Sequence, residues 1–142
     1  LPVAAVPLCS PQLLRDAEHP LRQPADLRHH TLVHDETDYD GRPEWTDWLA
    51  LAQRDDIDAS RGLRFNHISL ALDAAANGQG VVLGIEPLAA SDIEAGRLTV
   101  PFGPRLPLRN AYYLVSEHES AKQSTIGPFR DWLFAEAQRQ SR

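Results

Sequence analysis

A strand–helix–strand pattern in the middle of the sequence constrains the fold more than any other stretch. The short predicted strand Leu63–Phe65 is followed by residues 66–77 with helical spacing, and Gly78 suits the left-handed position that ends a helix. The next run, Val81–Ile85, is continuously apolar. Such a run is typical of a strand that is covered on both faces, as in a parallel sheet. The pattern therefore predicts a β-α-β unit.

The rest of the sequence also alternates between strand and helix patterns. We predict further strands at residues 3–8, 31–34, 98–102 and 111–116. We predict helices that begin at Ser10-Pro11, Pro43, Pro87 and Ile126. Alternation of this kind indicates a layered α/β fold, and 142 residues are enough for one domain with its own core.

Two of these helices carry aromatic side chains at helical spacing. The apolar face of the helix near Pro43 consists of Trp45, Trp48, Leu49 and Ala52. The apolar face of the last helix, residues 126–138, consists of Ile126, Phe129, Trp132 and Leu133. The first face has i, i+3, i+4, i+7 spacing and the second has i, i+3, i+6, i+7 spacing, so we expect both to be buried, with the two indoles of the first helix as core anchors.

Charge and cysteine content narrow the classes of function. The net charge is −6, from 14 basic and 20 acidic residues, so direct binding of nucleic acid by this chain is not expected. Cys9 is the single cysteine, which excludes an intrachain disulfide and suits a reducing compartment such as the cytoplasm. We predict that Cys9 is a small, partly buried residue.

The sequence lacks the usual signatures of catalysis and of metal binding. The acidic stretch 36–47 imitates a calcium loop but ends in Asp47, where the longer Glu is needed. His29, His30 and His34 straddle a loop–strand boundary, so they do not share a face. Gly78-Gln79-Gly80 follows a helix, whereas a dinucleotide-binding loop precedes one. We therefore expect no metal, no cofactor and no enzymatic activity.

A small-molecule site is the remaining geometric possibility. In an open α/β sheet, ligands bind beyond the carboxyl ends of the strands, where helix N-termini present free N–H groups. Phe65, Asn66 and His67 follow one predicted strand and would offer an apolar wall, an amide and a titratable donor. His34 and Glu86 lie at the corresponding ends of two other strands. Alternatively, Asn66 serves only to cap its helix, a role compatible with ligand contact.

Six motifs, in order and over nearly the whole chain, resemble the carboxyl part of the effector-binding domain of LysR-type transcriptional regulators. They are VPLCSPQLL, PLRQPADLRHHTLVHDE, WTDWL, FNHISLALDAAANGQGVVLGIEPLAASDIEAGRLTVPF, AYYLV and FRDWLFAEA. The nearest subgroup is that of the glycine-cleavage activator and the β-lactamase regulators. In that family Phe65, Asn66 and His67 match effector-site positions, and His34 matches more weakly. Glu86 comes from the sheet geometry alone.

The resemblance implies a type II periplasmic-binding-protein-like fold, in which two α/β lobes are joined by crossing strands and an effector binds between them. Residues 9–113 would form the second lobe. Residues 1–8 and 114–142 would form the crossing strands and a returning segment of the first lobe. The helix-turn-helix domain and most of the first lobe have no counterpart in these 142 residues.

The resemblance also implies a ligand-sensing role without covalent chemistry. The effector would be a small molecule such as an amino acid, an organic acid or a cell-wall fragment. DNA would be contacted only through a separate N-terminal domain, and the regulator would be a cytoplasmic homodimer or tetramer without membrane contact. The alternative is a solute-binding receptor of a transporter with the same fold, which should carry an export signal; the visible start of the sequence shows none. Without the first lobe the last helix would expose large apolar side chains, so we also expect this chain to associate, or to exchange its tail with a neighbour.

Overall fold

The computed structural model describes residues 2–115 and 126–140. The chain divides into two compact units. The larger unit comprises Val3–Asn110, and the smaller one includes the described residues 111–115 and 126–140. The candidate sites considered below lie in the larger unit.

Within the described residues the chain contains five strands and four α-helices. The strands are β1 (Pro2–Leu8), β2 (Leu32–Asp35), β3 (Leu63–Phe65), β4 (Val81–Ile85) and β5 (Leu106–Ala111). The α-helices are α1 (Trp45–Leu51), α2 (Ile68–Ala76), α3 (Ala90–Glu94) and α4 (Ile126–Gln140). Short 3₁₀ helices span Pro11–Arg15, Pro24–His29 and Glu86–Ala89.

The strands form one mixed sheet in the order β3-β2-β4-β1-β5. Strand β2 pairs in parallel with both β3 and β4, and β1 pairs with β4 antiparallel. The β-α-β prediction is confirmed, although β2 lies between the two strands that α2 connects. Because β2, β3 and β4 run in the same direction, their carboxyl ends meet at one edge of the sheet, called here the carboxyl edge.

Two apolar clusters cover the two faces of this sheet. On one face, called the α1 face, Leu32 packs with the buried indoles of Trp45 and Trp48. On the other, called the α2 face, Val33 packs with Leu72 and other side chains of α2. Neighbouring residues of β2 thus serve opposite clusters, as the alternation of side chains along a strand requires. The sheet is therefore covered on both sides, as the apolar run of β4 predicts.

Helix α1 confirms the expectation for the two indoles. It begins two residues after Pro43, and Trp45 and Trp48 are 2% and 0% exposed. Their rings meet edge to face with centroids 5.6 Å apart.

Cys9 is fully buried on the same face of the sheet, and burial raises the pKa of its thiol to about 12. Cys9 is therefore an unreactive core residue.

Two strand predictions are wrong. In place of a strand at 98–102, only Thr99 forms an isolated bridge, with Cys9. The strand predicted at 111–116 lies earlier, at Leu106–Ala111, and residue 116 is outside the described residues. Pro107 obscured β5 in the sequence, because proline removes a ladder donor and is tolerated mainly in edge strands. Strand β5 is such an edge.

The predicted last helix is confirmed as α4, but the predicted burial of its aromatic face is wrong for the described residues. Phe129 and Trp132 are 58% and 54% exposed, and their rings stack on each other with centroids 5.9 Å apart. Helical spacing identifies a face that needs cover, but it does not identify the surface that covers it.

Candidate functional site

The loops that follow β2 and β3 are tied together at the carboxyl edge. Asp35 pairs with Phe65 in the parallel register. Beyond this pair, the Glu36 N–H donates to the Phe65 carbonyl oxygen at 2.7 Å, and the Thr37 hydroxyl approaches the Asn66 carbonyl oxygen at 3.5 Å. These contacts hold Asn66 beside the end of β2, so the structure brings two of the predicted strand ends together.

His67, rather than Asn66, caps α2. The Ser69 N–H points to the His67 Nδ1 at 3.3 Å, and the Ser69 hydroxyl lies 2.6 Å from the same nitrogen. The prediction that Asn66 caps this helix is therefore wrong, because the helix begins at Ile68, one residue too late for Asn66. With Nδ1 accepting, the proton of the neutral ring lies on Nε2. Both Asn66 and His67 are exposed, so an amide and an imidazole donor are available at the carboxyl edge.

Phe65 and Glu86 are more constrained than the sequence suggested. Phe65 is half-buried and packs against the cluster of the α2 face, so only part of its ring can form a wall of a site. Glu86 begins the 3₁₀ helix after β4 and forms an ion pair with Arg105. Hydrogen bonding to this carboxylate raises the pKa of Arg105 above its ordinary value. Glu86 is thus already neutralised within the chain.

His34 lines a cleft next to the carboxyl edge, between the α1 face of the sheet and the start of α1. Its Nε2 is 2.9 Å from the Arg61 carbonyl oxygen, so Nε2 donates and Nδ1 is left as the acceptor of the neutral ring. The cleft has a volume of about 230 Å³. Of the five predicted site residues, only His34 is among the described residues that line it.

Sequence reasoning missed the charged residues of this cleft, among them Arg42, Glu44 and Arg64. Arg64 is the register partner of His34 on β3, and side chains paired across strands share a face. The β2–β3 register could have identified Arg64, but the sequence alone does not give that register. Arg42 and Glu44 belong to a loop whose course no periodic pattern indicates.

Metal-binding clusters and membrane-spanning helices are two further features that bear on function. No group of three or more His, Cys, Asp or Glu side chains in the described ranges is arranged to hold a metal ion. Among helices in residues 2–115 and 126–140, none combines the length and apolar composition that crossing a bilayer requires.

The chain is similar to curated bacterial transcriptional activators. It is 41% identical over 132 residues to the glycine cleavage system transcriptional activator of Escherichia coli (strain K12), covering 93% of this chain and 42% of that protein. It is 38% identical over 129 residues to the homologous activator of Haemophilus influenzae, covering 89% of this chain and 40% of that protein. The chain therefore spans about two fifths of the length of these relatives.

Solved structures agree on the fold. The effector domain of the regulator AmpR of Pseudomonas aeruginosa superposes with a TM-score of 0.64 at 23% identity, over 100% of this chain and 65% of that one. The AmpR effector-binding domain of Citrobacter freundii superposes with a TM-score of 0.60 at 24% identity, over 74% of this chain and 49% of that one. The type II periplasmic-binding-protein-like fold is thus confirmed.

These relatives are transcriptional regulators, and they support neither an enzyme nor a transport receptor. Residues 2–138 match the family described as the LysR substrate binding domain. The glycine-cleavage activator and AmpR are the subgroup that the sequence motifs predicted. The chain belongs to the LysR substrate-binding domain family, of which it represents the carboxyl part.

Proposed function

We propose that this chain senses a small-molecule effector for a LysR-type transcriptional regulator and thereby controls DNA binding by a separate N-terminal domain. The observation that supports this proposal is the carboxyl edge, where the exposed Asn66 and His67 stand at the start of α2 beside the end of β2. In this proposal residues 9–113 form the second lobe. Residues 1–8 and 114–142 form the crossing strands and a segment of the first lobe.

In the proposed mechanism the effector bridges two lobes. Asn66 offers an amide donor and acceptor, and His67 offers its Nε2 proton while Nδ1 remains bound to Ser69. The exposed part of Phe65 provides apolar contact, and His34 on β2 and Glu86 after β4 contribute from the next two strands of the sheet. The other half of the pocket comes from the first lobe. The effector shifts the equilibrium between lobe arrangements by binding one of them more tightly, and this shift repositions the DNA-binding domains.

The exposed aromatic face of α4 supports the lobe assignment. A stacked Phe129–Trp132 pair with more than half of each side chain exposed is a surface that normally packs against another element. In the intact regulator this face would pack in the first lobe, and the regulator would act as a cytoplasmic homodimer or tetramer. The 142-residue chain by itself should associate through α4, as light scattering after size exclusion would detect. A clean monomer at high concentration would contradict the expectation.

A thermal-shift screen tests the effector site. The protein expressed from the complete gene is screened with amino acids, organic acids and cell-wall fragments. A compound that raises the melting temperature should lose its effect in His67→Ala. His67→Asn, which keeps a capping acceptor, separates loss of ligand contact from loss of the cap. His29→Ala removes an exposed histidine outside the carboxyl edge and should respond like the unmodified protein. Equal responses of all three variants would place the effector elsewhere.

The reading frame upstream of this chain tests the regulatory role independently. A helix-turn-helix domain encoded there is the expected result, because the chain covers only the carboxyl two fifths of its relatives' length. An export signal in its place would favour the transport receptor.

A further inference from the structure

The cleft beneath α1 adjoins the carboxyl edge but does not include Asn66 or His67. Successive side chains of β3 point to opposite faces, so Arg64 lines the cleft on the α1 face whereas Phe65 packs on the α2 face. All residues that line the cleft belong to the unit Val3–Asn110. The cleft is therefore formed within this unit alone. Its volume of about 230 Å³ lies below the range typical of drug-sized ligands, roughly 300–1,000 Å³, and suits a smaller molecule.

The cleft combines an apolar floor with a charged rim of both signs. Trp45 and Leu83, both in the cluster of the α1 face, contribute the apolar lining. The charged lining consists of Asp35, Glu36, Arg42, Glu44 and Arg64. Glu36 and Arg64 neutralise each other, and Asp35 is paired with Phe65 in the β2–β3 register, which leaves Arg42 and Glu44 to meet a ligand. A purely anionic ligand would be repelled by the Glu44 carboxylate, and a purely cationic one by the Arg42 guanidinium. A net-neutral ligand that carries both charges avoids either repulsion.

Two of these charged groups are firmly engaged within the protein. Arg64 donates to the Glu36 carboxylate at 2.7 Å and to the Ser60 carbonyl oxygen at 2.7 Å. One oxygen of Asp35 accepts from the Thr37 N–H at 2.9 Å. These distances are those of strong hydrogen bonds, so a ligand gains little by displacing them.

The ion pair between Arg42 and Glu44 is much looser. The nearest nitrogen and oxygen of the pair are 3.5 Å apart, beyond the 2.7–2.9 Å or so of a charge-assisted hydrogen bond. Arg42 also donates to the Thr37 carbonyl oxygen, at 3.3 Å, which leaves most of its five N–H donors unused. The side chains are 30% and 55% exposed, and ion pairs of this kind contribute little to stability. Separating Arg42 from Glu44 therefore requires little free energy.

We propose that this cleft binds a small zwitterion of the α-amino acid class, held between Arg42 and Glu44. The ligand carboxylate pairs with the planar guanidinium of Arg42, and the ligand ammonium pairs with the carboxylate of Glu44. One long ion pair is thereby replaced by two short ones. A small apolar side chain of the ligand rests against the indole of Trp45, and the His34 Nδ1 accepts a second ammonium proton. His34 is shared with the proposed effector site, whereas Phe65, Asn66 and His67 do not line this cleft.

Three probe molecules separate the charge requirements. L-alanine carries both charges, propionate lacks the ammonium, and ethylammonium lacks the carboxylate. Each is titrated into the 142-residue chain at matched ionic strength, to about 50 mM, and amide resonances are followed by two-dimensional NMR. We expect L-alanine to shift the resonances of Thr46 and Ser60 in the cleft and those of Asn66 and His67 much less. Propionate and ethylammonium should produce less than half of that shift.

Variants test the two anchors. Arg42→Ala should weaken L-alanine binding at least about tenfold, because a hydrogen-bonded charge is lost. Glu44→Gln should also weaken L-alanine but strengthen propionate, because a repelling carboxylate is gone. Arg54→Ala, which removes an exposed arginine outside the cleft, should bind L-alanine normally. Three results would each overturn the proposal: cleft resonances that do not move, propionate binding as well as L-alanine, or equal losses in Arg42→Ala and Arg54→Ala. None of them bears on the effector site, which requires the intact regulator.

Discussion

Replacing Trp48 by Phe should destabilise the larger unit more than the similar size of the two side chains suggests. Trp48 is fully buried, and its Nε1–H donates to the Pro104 carbonyl oxygen at 2.8 Å. Its ring also packs edge to face on Trp45 and lies 6.0 Å, centroid to centroid, from the ring of Phe102. The substitution therefore removes a hydrogen bond and leaves a void in the centre of the α1-face cluster.

The magnitude follows from these two losses. The Pro104 carbonyl oxygen is part-buried, so leaving it without its donor costs about 1–2 kcal/mol, in the lower part of the range for a buried acceptor. The ring atoms that phenylalanine lacks are equivalent to one or two buried methylene groups, at about 0.8 kcal/mol each. The expected loss in the free energy of unfolding is therefore about 2–4 kcal/mol. A domain of ordinary stability, about 5–15 kcal/mol, would lose a substantial share.

Trp132→Phe is the matched control, because Trp132 is 54% exposed on α4. Its effect on the free energy of unfolding should stay within about 0.5 kcal/mol. Urea unfolding followed by far-ultraviolet circular dichroism measures both variants without relying on the fluorescence of the altered residues. With a slope of about 1–3 kcal/mol/M, Trp48→Phe should lower the midpoint by about 1–2 M. Equal midpoints for the two variants would refute the assigned role of the Trp48–Pro104 contact.

The remaining predictions concern a glycine, the cysteine and an aspartate. A Cβ on Gly62 (φ +117°) would lie 1.9 Å from the Leu32 carbonyl oxygen, so Gly62→Ala should abolish cooperative unfolding. Gly96 (φ +72°) has open space around it, so Gly96→Ala should lower the free energy of unfolding by only about 1 kcal/mol. Because burial raises the pKa of Cys9, a disulfide reagent at about pH 8 should label its thiol no faster than the chain unfolds. Rapid labelling without urea would contradict the burial of Cys9. Two backbone N–H groups hold the pKa of Asp16 below its ordinary value. Its stabilising contribution is thus present above the unfolded pKa of about 4 and disappears as the pH falls through the lower folded pKa. Asp16→Ala should therefore lower the melting temperature near neutral pH, and the melting temperatures of variant and parent should converge in acid. A difference in melting temperature that does not change with pH would contradict this.

The elements that could be predicted from the sequence are those whose periodicity reflects burial. The limits of β3 and β4 were predicted to the residue, although burial accounts for this only in β4: its first four residues are buried, whereas Leu63 and Arg64 of β3 are exposed. Helix α1 was recognised by its two buried indoles. Strand β5 was misplaced because an edge strand with Pro107 has no strict alternation.

The candidate sites divide in the same way. The carboxyl edge could be predicted because it follows from strand direction, which the β-α-β pattern implies. The cleft could not, because it depends on a loop folding back so that Arg42 and Glu44 face the α1 side of β2. The cap of α2 was assigned one residue early, since Asn66 and His67 both carry a possible acceptor. The choice between them depends on where the backbone leaves β3.

Two glycines fix the register on which both sites depend. A Cβ on Gly62 would lie 1.9 Å from the Leu32 carbonyl oxygen, and a Cβ on Gly80 would lie 2.3 Å from that of Thr31. Both contacts lie where β2 begins, at the opposite end of that strand from the carboxyl edge. Residues with side chains cannot approach β2 so closely, so β3 and β4 are held against it at that end.

That register sets which side chains meet at the other end of β2. It pairs His34 with Arg64 on the α1 face and Asp35 with Phe65 on the α2 face. A slip of one residue would move every side chain of β3 to the opposite face. Arg64 would then leave the cleft and Phe65 would leave the apolar cluster. The glycines at one end of the parallel strands therefore position the polar residues at the other, although they contact none of the side chains proposed to bind a ligand.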